Sequence, residues 1–464
     1  MEYPLYFGSI IYFGALKRNA SCVSSWRLLF CTKKDILNKI RYNKSVETIT
    51  KGCLLNMSTL NYIGKLLGIK AEYIKNMRET DSEHLLYVEV PARPHTCPHC
   101  HAKTTRIKGY TNRAIRHTTA NEKPIRLLYR QRRYVCSCGR TFNEKTEFSS
   151  RYLRTTPRLR EVMCQQLSEI ISFKAVAKHC HVSVNQVIRV FNEIKYSRPA
   201  TLPPVLSIDE FKGNAAGQKY QVILTDPESH KILDILPKRD TTELAKYFAQ
   251  FPRYIRNNVK YITMDMSLQF RSVMRDWFPQ AQIVADRFHL IRLITFALER
   301  VRKAEQNTLS NVSRTFKTNK RILTKHFKAL TDKEFTKLMD MFHYSPRLHR
   351  AYVLKQAFSR VLMFKDKENI QWAIDQWLSL VASSELPEFK SLLKTFKFWR
   401  EEIVNALTLP YSNGFTEGCN NKIKALKRCA FGIQNFERFR NRILFINAKK
   451  GHATITSHVL PKSA

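Results

Sequence analysis

The sequence predicts a multidomain α/β protein in which a small cysteine-rich domain and a short helical unit precede a mixed-sheet domain with a large helical insertion. Two close cysteine pairs lie in the first third of the chain. Short β-branched runs are concentrated between residues 205 and 284, and residues 290–405 carry an almost continuous helical pattern. A length of 464 residues accommodates about two to four such domains.

The charge balance predicts a polyanionic partner. The chain has 79 Lys and Arg against 38 Asp and Glu, a formal net charge of +41. Such an excess repels itself in a compact fold unless a polyanion shares the surface. Nucleic acid is the favoured partner, because neutralising phosphates releases condensed counterions. Association with a membrane surface or a ribosome is the alternative.

The cysteine content and the first residues predict an intracellular location. The apolar stretch 3–16 follows Glu2 and precedes Lys17 and Arg18, which is the reverse of signal-peptide polarity, and it is too short to span a bilayer. We therefore expect a cytosolic protein without membrane association. In that reducing compartment, close pairs among the eleven cysteines favour metal binding over disulfides.

The two ends of the chain are predicted to be tails. Residues 1–56 show no clear period, whereas a helical pattern begins at Met57, so residues 57–83 are predicted as an N-terminal helix. One hypothesis is that Met57 is the natural start and that residues 1–56 are not native. The alternative is a genuine but poorly ordered tail. Residues 451–464 are predicted as a C-terminal tail.

Residues 84–150 are predicted to form a zinc ribbon. Cys97 and Cys100 form one pair and Cys136 and Cys138 the other, with 35 residues between the pairs. Four thiolates at this spacing form a closed, structural Zn²⁺ site with no open position for water. The single residue between the second pair weakens the match, and His95, His99 or His101 is an alternative fourth ligand.

A basic strand is predicted within the ribbon, from Ile125 to Val135. It carries Arg126, Arg130 and Arg132, which are candidates for phosphate contacts. A solvated basic face is the alternative interpretation.

Residues 151–198 are predicted to form a helix-turn-helix. Small residues at 175 and 177 allow close helix packing, and Ser183 is a good N-cap for a helix beginning at Val184. A second helix with a polar face suits the major groove of DNA, so Asn185, Gln186 and Arg189 are the predicted base-contacting residues. The alternative is an ordinary helical hairpin.

The segment 203–450 is predicted to be one catalytic domain, with a helical insertion at about 290–410. The insertion residues Trp372, Trp377 and Trp399 are expected to lie in the core and not to stack on bases. Three strands from Val205 to Leu236 are expected to form an antiparallel meander, and two later strands end in Asp265 and Asp286. Acids at the carboxyl edge of a mixed sheet form a natural binding edge. This order of strands and helices is RNase H-like.

Three carboxylates are predicted to hold two catalytic Mg²⁺ or Mn²⁺ ions. Two-metal chemistry on a phosphodiester requires acids that hold the ions about 3.5–4 Å apart. Asp209 and Asp265 end adjacent strands, and Glu417 lies in the first turns of a helix that Ser412 and Asn413 can cap. Lys424, seven residues after Glu417, shares its helix face and can hold the DNA backbone.

The order of these motifs resembles the ISL-three group of bacterial insertion-sequence transposases over residues 57 to about 450. The most specific element is Ser412-Asn-Gly-x-x-Glu417-Gly-x-Asn-Asn-x-Ile-Lys424. The resemblance implies an RNase H-like domain with a D-D-E triad at Asp209, Asp265 and Glu417. It also implies an Asp-x-x-His element at Asp286 and His289, expected to support the active site. Asp286 is the main rival of Asp265 as second carboxylate.

The expected function is therefore DNA transposition. The partners are double-stranded DNA, in the form of terminal inverted repeats and target DNA, and at least one further copy of the chain, since two ends must be held together. One alternative is a structure-specific nuclease of the same fold. The other is a DNA-binding regulator derived from a transposase, against which the three intact acids argue.

Overall fold

The computed structural model describes residues 57–146, 148–149 and 153–448. The predicted tails, 1–56 and 451–464, lie outside these residues, as does the hypothesis about the natural start. The chain forms two compact units. In the described residues, the first contains 57–79, 85–113 and 128–144, and the second contains 80–84, 114–127 and the chain from 145 onward.

The first unit is built mainly from strands around the cysteine pairs. Its elements are α1 (Met57–Leu67), β1 (Ile74–Glu79), β2 (His84–Val88), β3 (His95–Thr96), β4 (Lys103–Thr104), β5 (Ile107–Ala120), β6 (Lys123–Val135) and β7 (Thr141–Asn143). Three of these strands, β2, β5 and β6, also contribute residues to the second unit. The main sheet has the order β1-β2-β6-β5, with β7 paired to β6. The helix predicted over 57–83 is wrong beyond Leu67, because Gly68 takes a positive φ of 66° and ends it.

Three short helices follow in the region predicted as a helix-turn-helix: α2 (Pro157–Leu167), α3 (Phe173–His179) and α4 (Val184–Asn192). Each begins with a side-chain cap, from Thr156, Ser172 and Ser183 respectively. The predicted Ser183 cap is confirmed, since its hydroxyl accepts the backbone N–H of Gln186. The three helices share one apolar core, which fixes the position of α4.

A five-stranded mixed sheet forms the centre of the second unit. Its strands are β8 (Val205–Phe211), β9 (Gln221–Asp226), β10 (Lys231–Leu236), β11 (Tyr261–Met264) and β12 (Gln282–Ala285). They lie in the order β10-β9-β8-β11-β12. The first three form the predicted antiparallel meander, and β11 and β12 continue the sheet parallel to β8. β8 is central and almost wholly buried, as expected for a strand covered on both faces.

Helices link the parallel strands and then form the predicted insertion. The linking helices are α5 (Thr241–Phe248), α6 (Arg253–Arg256) and α7 (Leu268–Trp277). The insertion comprises α8 (Arg287–Thr308), α9 (Ser313–Thr318), α10 (Lys320–Thr324), α11 (Asp332–Tyr344), α12 (Pro346–Val361), α13 (Lys367–Ser383), α14 (Pro387–Phe398) and α15 (Arg400–Thr408). Trp377 and Trp399 lie in the core, as predicted. Trp372 is 58% exposed, so its prediction as a core residue is wrong.

Two helices complete the second unit: α16 (Gly414–Ala430) and α17 (Phe436–Asn447). Both pack with the antiparallel half of the sheet in one apolar cluster. The α17 residue Arg440 forms a buried ion pair with Asp234 of β10 at 2.6 Å and also donates to the backbone oxygen of Tyr196 at 3.0 Å. One guanidinium thus ties α17 both to the sheet and to the segment that follows α4.

We predict that Asp234→Ala destabilises the protein by about 3–5 kcal/mol, because it leaves the buried Arg440 without a counter-charge. The matched control is Glu385→Ala, which breaks the ion pair of Glu385 with Arg350 at the surface and should cost about 0–1 kcal/mol. Urea unfolding followed by circular dichroism measures both. Equal midpoints for the two variants would contradict the structural role of the buried pair.

Candidate active site and zinc centre

Three acidic residues lie in a row at one edge of the sheet. Ser207 of β8 is in register with Thr263 of β11, and Met264 of β11 is in register with Ala285 of β12. Asp209 and Asp265 each lie two residues beyond the first pair, and Asp286 lies one residue beyond the second. The prediction that Asp209 ends its strand is wrong, because β8 stays paired with β9 as far as Phe211. Since neighbouring strands are about 4.8 Å apart, the sheet places the acids side by side, as the sequence predicted for Asp209 and Asp265.

Glu417 reaches the same edge from α16, which crosses β8 and β9. The Thr416 hydroxyl lies 2.8 Å from the Thr225 hydroxyl of β9, and Asn420 Nδ2 donates to Asp209 Oδ2 at 2.8 Å. This role of Asn420 was not predicted from the sequence, although its place three residues after Glu417 puts both on neighbouring positions of one helix. The predicted side-chain capping is wrong, because Asn413 occupies the N-cap position but its buried side chain makes no cap bond.

Asp286 and His289 lie beside Glu417. Asp286 precedes α8, and its Oδ2 is 2.7 Å from Nδ1 of His289 in the first turn of that helix. One ligand atom from each of Asp286, His289 and Glu417 lies within 4.8 Å of the others. The structure therefore brings the Asp-x-x-His element to the predicted glutamate.

The electrostatics of the site favour a bound cation. Burial, reinforced by the charges of Asp265 and Glu417, raises the pKa of Asp209 to about 7. Burial and nearby acids also raise the pKa of Asp265 and of Glu417. Asp265 Oδ1 is buried and has no hydrogen-bond partner. Clustered carboxylates with an unpartnered oxygen fit divalent cations such as Mg²⁺, which prefer oxygen ligands.

A cleft of about 670 Å³ opens beside these carboxylates. Its walls come from the start of α7, from α8 and from α14, so the helical insertion supplies much of the lining. The lining combines acids, cations and exposed apolar side chains, among them Asp265, Leu268, His289, Arg292, Phe296, Lys394 and Phe398. The cleft is thus suited to a substrate that has both charged and apolar parts.

The four predicted cysteines converge in the first unit. Cys97 Sγ is 3.8 Å from Cys138 Sγ, Cys100 Sγ is 3.4 Å from Cys136 Sγ, and all four sulfurs lie within 4.8 Å of one another. A tetrahedral zinc site with bonds of about 2.3 Å requires sulfurs about 3.8 Å apart. The backbone N–H of Cys138 and the Cys100 thiol lower the pKa of Cys136 to about 6. The backbone N–H of Ala102 lowers the pKa of Cys100, but the contacts with the Cys136 and Cys138 sulfurs outweigh it and raise this pKa to about 12. The sulfurs thus share protons in the metal-free cluster, and a zinc ion would replace those protons. The set therefore fits a structural Zn²⁺ ion without a histidine.

The predicted DNA-contacting residues differ in their exposure. On α4, Asn185 and Arg189 are exposed and Gln186 is half-buried. On β6, Arg126 pairs with Glu83, and Arg130 stacks on Tyr110 while keeping half of its side chain exposed. Arg132 is buried and bonded to Glu89, Glu144 and the backbone oxygen of Val90. It holds the ribbon together, so its predicted place on a phosphate-contacting face is wrong.

Profiles of known families match three successive parts of the chain. One described as "Transposase", for the ISL3 group, matches residues 206–443, which is more than half of the chain. The chain belongs to the ISL3 family of transposases. A profile described as "zinc-finger of transposase IS204/IS1001/IS1096/IS1165" matches 93–138, and "Helix-turn-helix domain of transposase family ISL3" matches 144–194 of this transposase.

Individual relatives agree with the family. This transposase is 24% identical over 396 residues to the transposase for insertion sequence element IS1001 of Bordetella parapertussis, which covers 83% of this chain and 97% of that protein. The transposase for insertion sequence element IS1557 of Mycobacterium tuberculosis (strain ATCC 25618 / H37Rv) is 27% identical over 241 residues, covering 47% of this chain and 54% of that protein. A Lactococcus lactis protein named ATP-dependent protease is 37% identical over 112 residues, only 24% of this chain and 33% of that protein. The predicted family is confirmed.

None of the helices in the described residues combines the length and the apolar character that a bilayer crossing requires.

We predict that the affinity of this transposase for Mn²⁺ rises about tenfold between pH 6 and pH 8. Because the metal-free pKa of Asp209 is about 7, a proton occupies this carboxylate at pH 6 and must leave before a cation binds. Calorimetric titration of the wild type measures the change, with Asp209→Asn as the control that lacks the titrating group. A wild-type affinity that does not change with pH would contradict the raised pKa.

We also predict that the purified protein contains one Zn²⁺ ion per chain and that Cys136→Ser loses it. The serine hydroxyl is a poor zinc ligand and leaves only three thiolates. Cys429→Ser is the control, because Cys429 is an exposed thiol outside the cluster. Elemental analysis of both variants decides: zinc retained by Cys136→Ser would exclude this residue as a ligand.

Proposed function

We propose that this transposase binds the terminal inverted repeats of its insertion sequence, cleaves the DNA at their ends with two divalent metal ions and joins those ends to target DNA. The observation that carries the proposal is the convergence of Asp209, Asp265 and Glu417 at one sheet edge, although they come from distant parts of the chain. A regulator that only binds DNA has no need for a buried Asp209 with two further carboxylates beside it.

The proposed ligands of two Mg²⁺ or Mn²⁺ ions are Asp209, Asp265 and Glu417. Asp209 lies at the centre, since the charges of both other acids act on its pKa. Asn420 fixes the Asp209 carboxylate by donating to Oδ2 and leaves Oδ1 to accept the backbone N–H of Glu210. Asp286 and His289, which are hydrogen-bonded to each other, are proposed as positioning residues beside Glu417. Their ligand atoms lie within 4.8 Å of that of Glu417, so Asp286 is the rival second ligand.

The bound ions would activate the attacking water or 3′ hydroxyl and stabilise the leaving oxygen of the phosphodiester. The side chains around them have separate tasks. Burial raises the pKa of Glu417, and the positive charges of Lys424 and Arg292 oppose part of this rise. Both cations therefore lie close enough to attract a phosphate to this edge. His289, whose pKa is raised mainly by its hydrogen bond with Asp286, adds a third positive charge when protonated.

We further propose that the catalytic domain, residues 203–450, has an RNase H-like fold. Numbered within the domain, its strand order is 3-2-1-4-5, with the first three strands antiparallel and the last two parallel to the first. The helices from α8 to α15 then form an insertion between the last strand and the helix that carries Glu417. This arrangement supports the order of elements expected from the sequence.

The cleft beside the carboxylates is the proposed path of the reacting DNA strand. Arg292 and Lys394 supply positive charge for phosphates, and the exposed rings of Phe296 and Phe398 supply flat apolar surfaces for bases. A DNA strand is a substrate with both characters. Asp265 lines the cleft, which supports a path for such a strand next to the proposed metal ligands.

Recognition of the repeats is assigned to the domain at 151–198. Asn185, Gln186 and Arg189 on α4 are the proposed base-contacting residues, and Arg126 and Arg130 of the ribbon at 84–150 are proposed phosphate contacts. The exposure of Asn185 and Arg189, four residues apart on one helix face, supports this assignment. We propose a homodimer or higher oligomer on DNA in the bacterial cytoplasm, because two element ends must be joined in one reaction.

The test is a cleavage and strand-transfer assay on DNA carrying the element's ends, with Mg²⁺ or Mn²⁺. We predict that Asp209→Asn, Asp265→Asn and Glu417→Gln reduce both activities to background while DNA binding persists. Asp286→Asn and Asn420→Ala should lose about 10–100-fold, as expected for residues that position metal ligands. Asp276→Asn, which changes an exposed acid of α7, is the control with full activity.

Three results would change the proposal. If Asp286→Asn is inactive and Asp265→Asn is active, Asp286 is the second ligand. If the wild type cleaves without joining, the protein is a structure-specific nuclease. If it binds the ends and never cleaves them with either metal, it is a DNA-binding regulator.

A further inference from the structure

The exposed side of α16 carries a row of side chains that begins at the proposed active site. A helix turns about 100° per residue, so positions 7 and 11 residues after Glu417 return to within about 20° of its direction. These positions are Lys424 and Arg428, both exposed. The opposite side of the helix holds the buried residues, including Cys419, Ile423 and Leu426, which pack against the sheet.

Both cations of this row are available to a partner. Lys424 Nζ has only a long contact of 3.5 Å with Asn421 Oδ1. Among the described residues, neither Lys424 nor Arg428 forms an ion pair with an acid. Lys427, by contrast, donates to the backbone oxygen of Lys212 and is half-buried, so it secures the neighbouring loop instead.

An aromatic side chain stands at the end of the row. Phe431 is 93% exposed, the highest value among the large hydrophobic side chains of the described residues. Its backbone lies in the left-handed region, with φ of 53° and ψ of 28°, which favours glycine. Gly432 follows with φ of 88°. Phe431 therefore occupies a left-handed helix C-terminal position at which glycine is usually found. Its ring makes little packing contact with the rest of the fold.

We propose that Lys424, Arg428 and Phe431, here called the α16 row, form a DNA-contact surface in which Phe431 is an apolar wedge against the duplex. Phe431 lies 14 residues after Glu417, or about 21 Å along a helix that rises about 1.5 Å per residue. At about 3.4 Å per base pair, this distance corresponds to roughly six base pairs from the scissile phosphate. The row thus holds the duplex about half a helical turn away from the metal ligands.

Charge and position select DNA as the occupant. The row is positive from Lys424 to Arg428 and is continuous with the edge where the phosphodiester must lie. Apolar wedges between base steps recur in proteins that bend DNA, where they are flanked by cations that contact phosphates. The alternative occupant, a second copy of a chain with a net charge of +41, would have to place an acidic surface against these cations.

The inference rests on the proposed function for the position of the scissile phosphate, so its test measures binding without divalent metal. The full-length protein is titrated with a duplex carrying one element end, and hydroxyl-radical footprints are recorded. Phe431→Ala and Phe431→Gly should weaken binding roughly tenfold and remove protection about six base pairs from the cleavage position. Arg428→Gln should reduce the magnitude of the slope of log affinity against log salt by about one.

Two controls keep the result unambiguous. Phe431→Gly suits the left-handed backbone better than phenylalanine does, so a loss of binding in this variant is not a loss of folding. Tyr254→Ala removes another highly exposed aromatic ring, 70% exposed on α6, and should bind like the wild type. Unchanged binding and footprints for Phe431→Gly and Arg428→Gln would overturn the proposal. So would variants that change only the oligomeric state, since the α16 row would then bind a second copy of the chain.

Discussion

The candidate site depends on the register of three parallel strands. Side chains alternate between the two faces of a sheet, so a slip of one residue between β8 and β11 would turn Asp209 and Asp265 to opposite faces. The hydroxyl groups of Ser207 and Thr263 are hydrogen-bonded to each other inside the sheet, two residues before the two acids. This buried polar pair matches only in the observed register, because either slip would place a hydroxyl against an apolar side chain without a partner. The buried contact between Ser207 and Thr263 therefore fixes the alignment of Asp209 with Asp265.

The same alignment has an electrostatic cost. Burial of neighbouring carboxylates raises the pKa of Asp209, Asp265 and Glu417, so the metal-free site resists full ionisation. The fold tolerates this cost because packing elsewhere is extensive: the insertion shares one core with the linking helices and strands. Nearby cations such as Lys424 and Arg292 offset part of the repulsion without occupying the acids themselves. Because a bound cation would remove the repulsion between these carboxylates, the repulsion in the metal-free site favours cation binding.

Sequence patterns predicted the features that depend on short stretches of chain. The meander, the positions of Asp265 and Asp286 after strand ends, the cysteine knuckles and the Ser183 cap each follow from a few adjacent residues. Features that depend on tertiary packing were missed or predicted wrongly. The sequence around Arg132 is that of a basic strand and does not show that Glu144 pairs with it in the core. Trp372 was predicted as a core residue, but its side chain lies on an exposed face of the helix. The Asn420 contact with Asp209 was missed for the same reason, since 211 residues separate them. The RNase H-like order and the assigned roles of the acids stay predictions.

One segment links the candidate active-site edge to the helix-turn-helix region. The helix α16 carries Glu417 to the sheet, and α17, which follows after a short loop, places Arg440 on Asp234. The next arginine on α17, Arg442, is buried and donates to the backbone oxygens of Glu169 and Ile171 at 3.0 and 2.9 Å, in the turn between α2 and α3. Both arginines donate to the helix-turn-helix region, Arg440 to Tyr196 and Arg442 to the turn, and so hold that region against α17. The distance from α4 to the carboxylates is therefore set by packed helices and not by a flexible linker, which supports the proposal that cleavage occurs at a fixed distance from a recognised sequence.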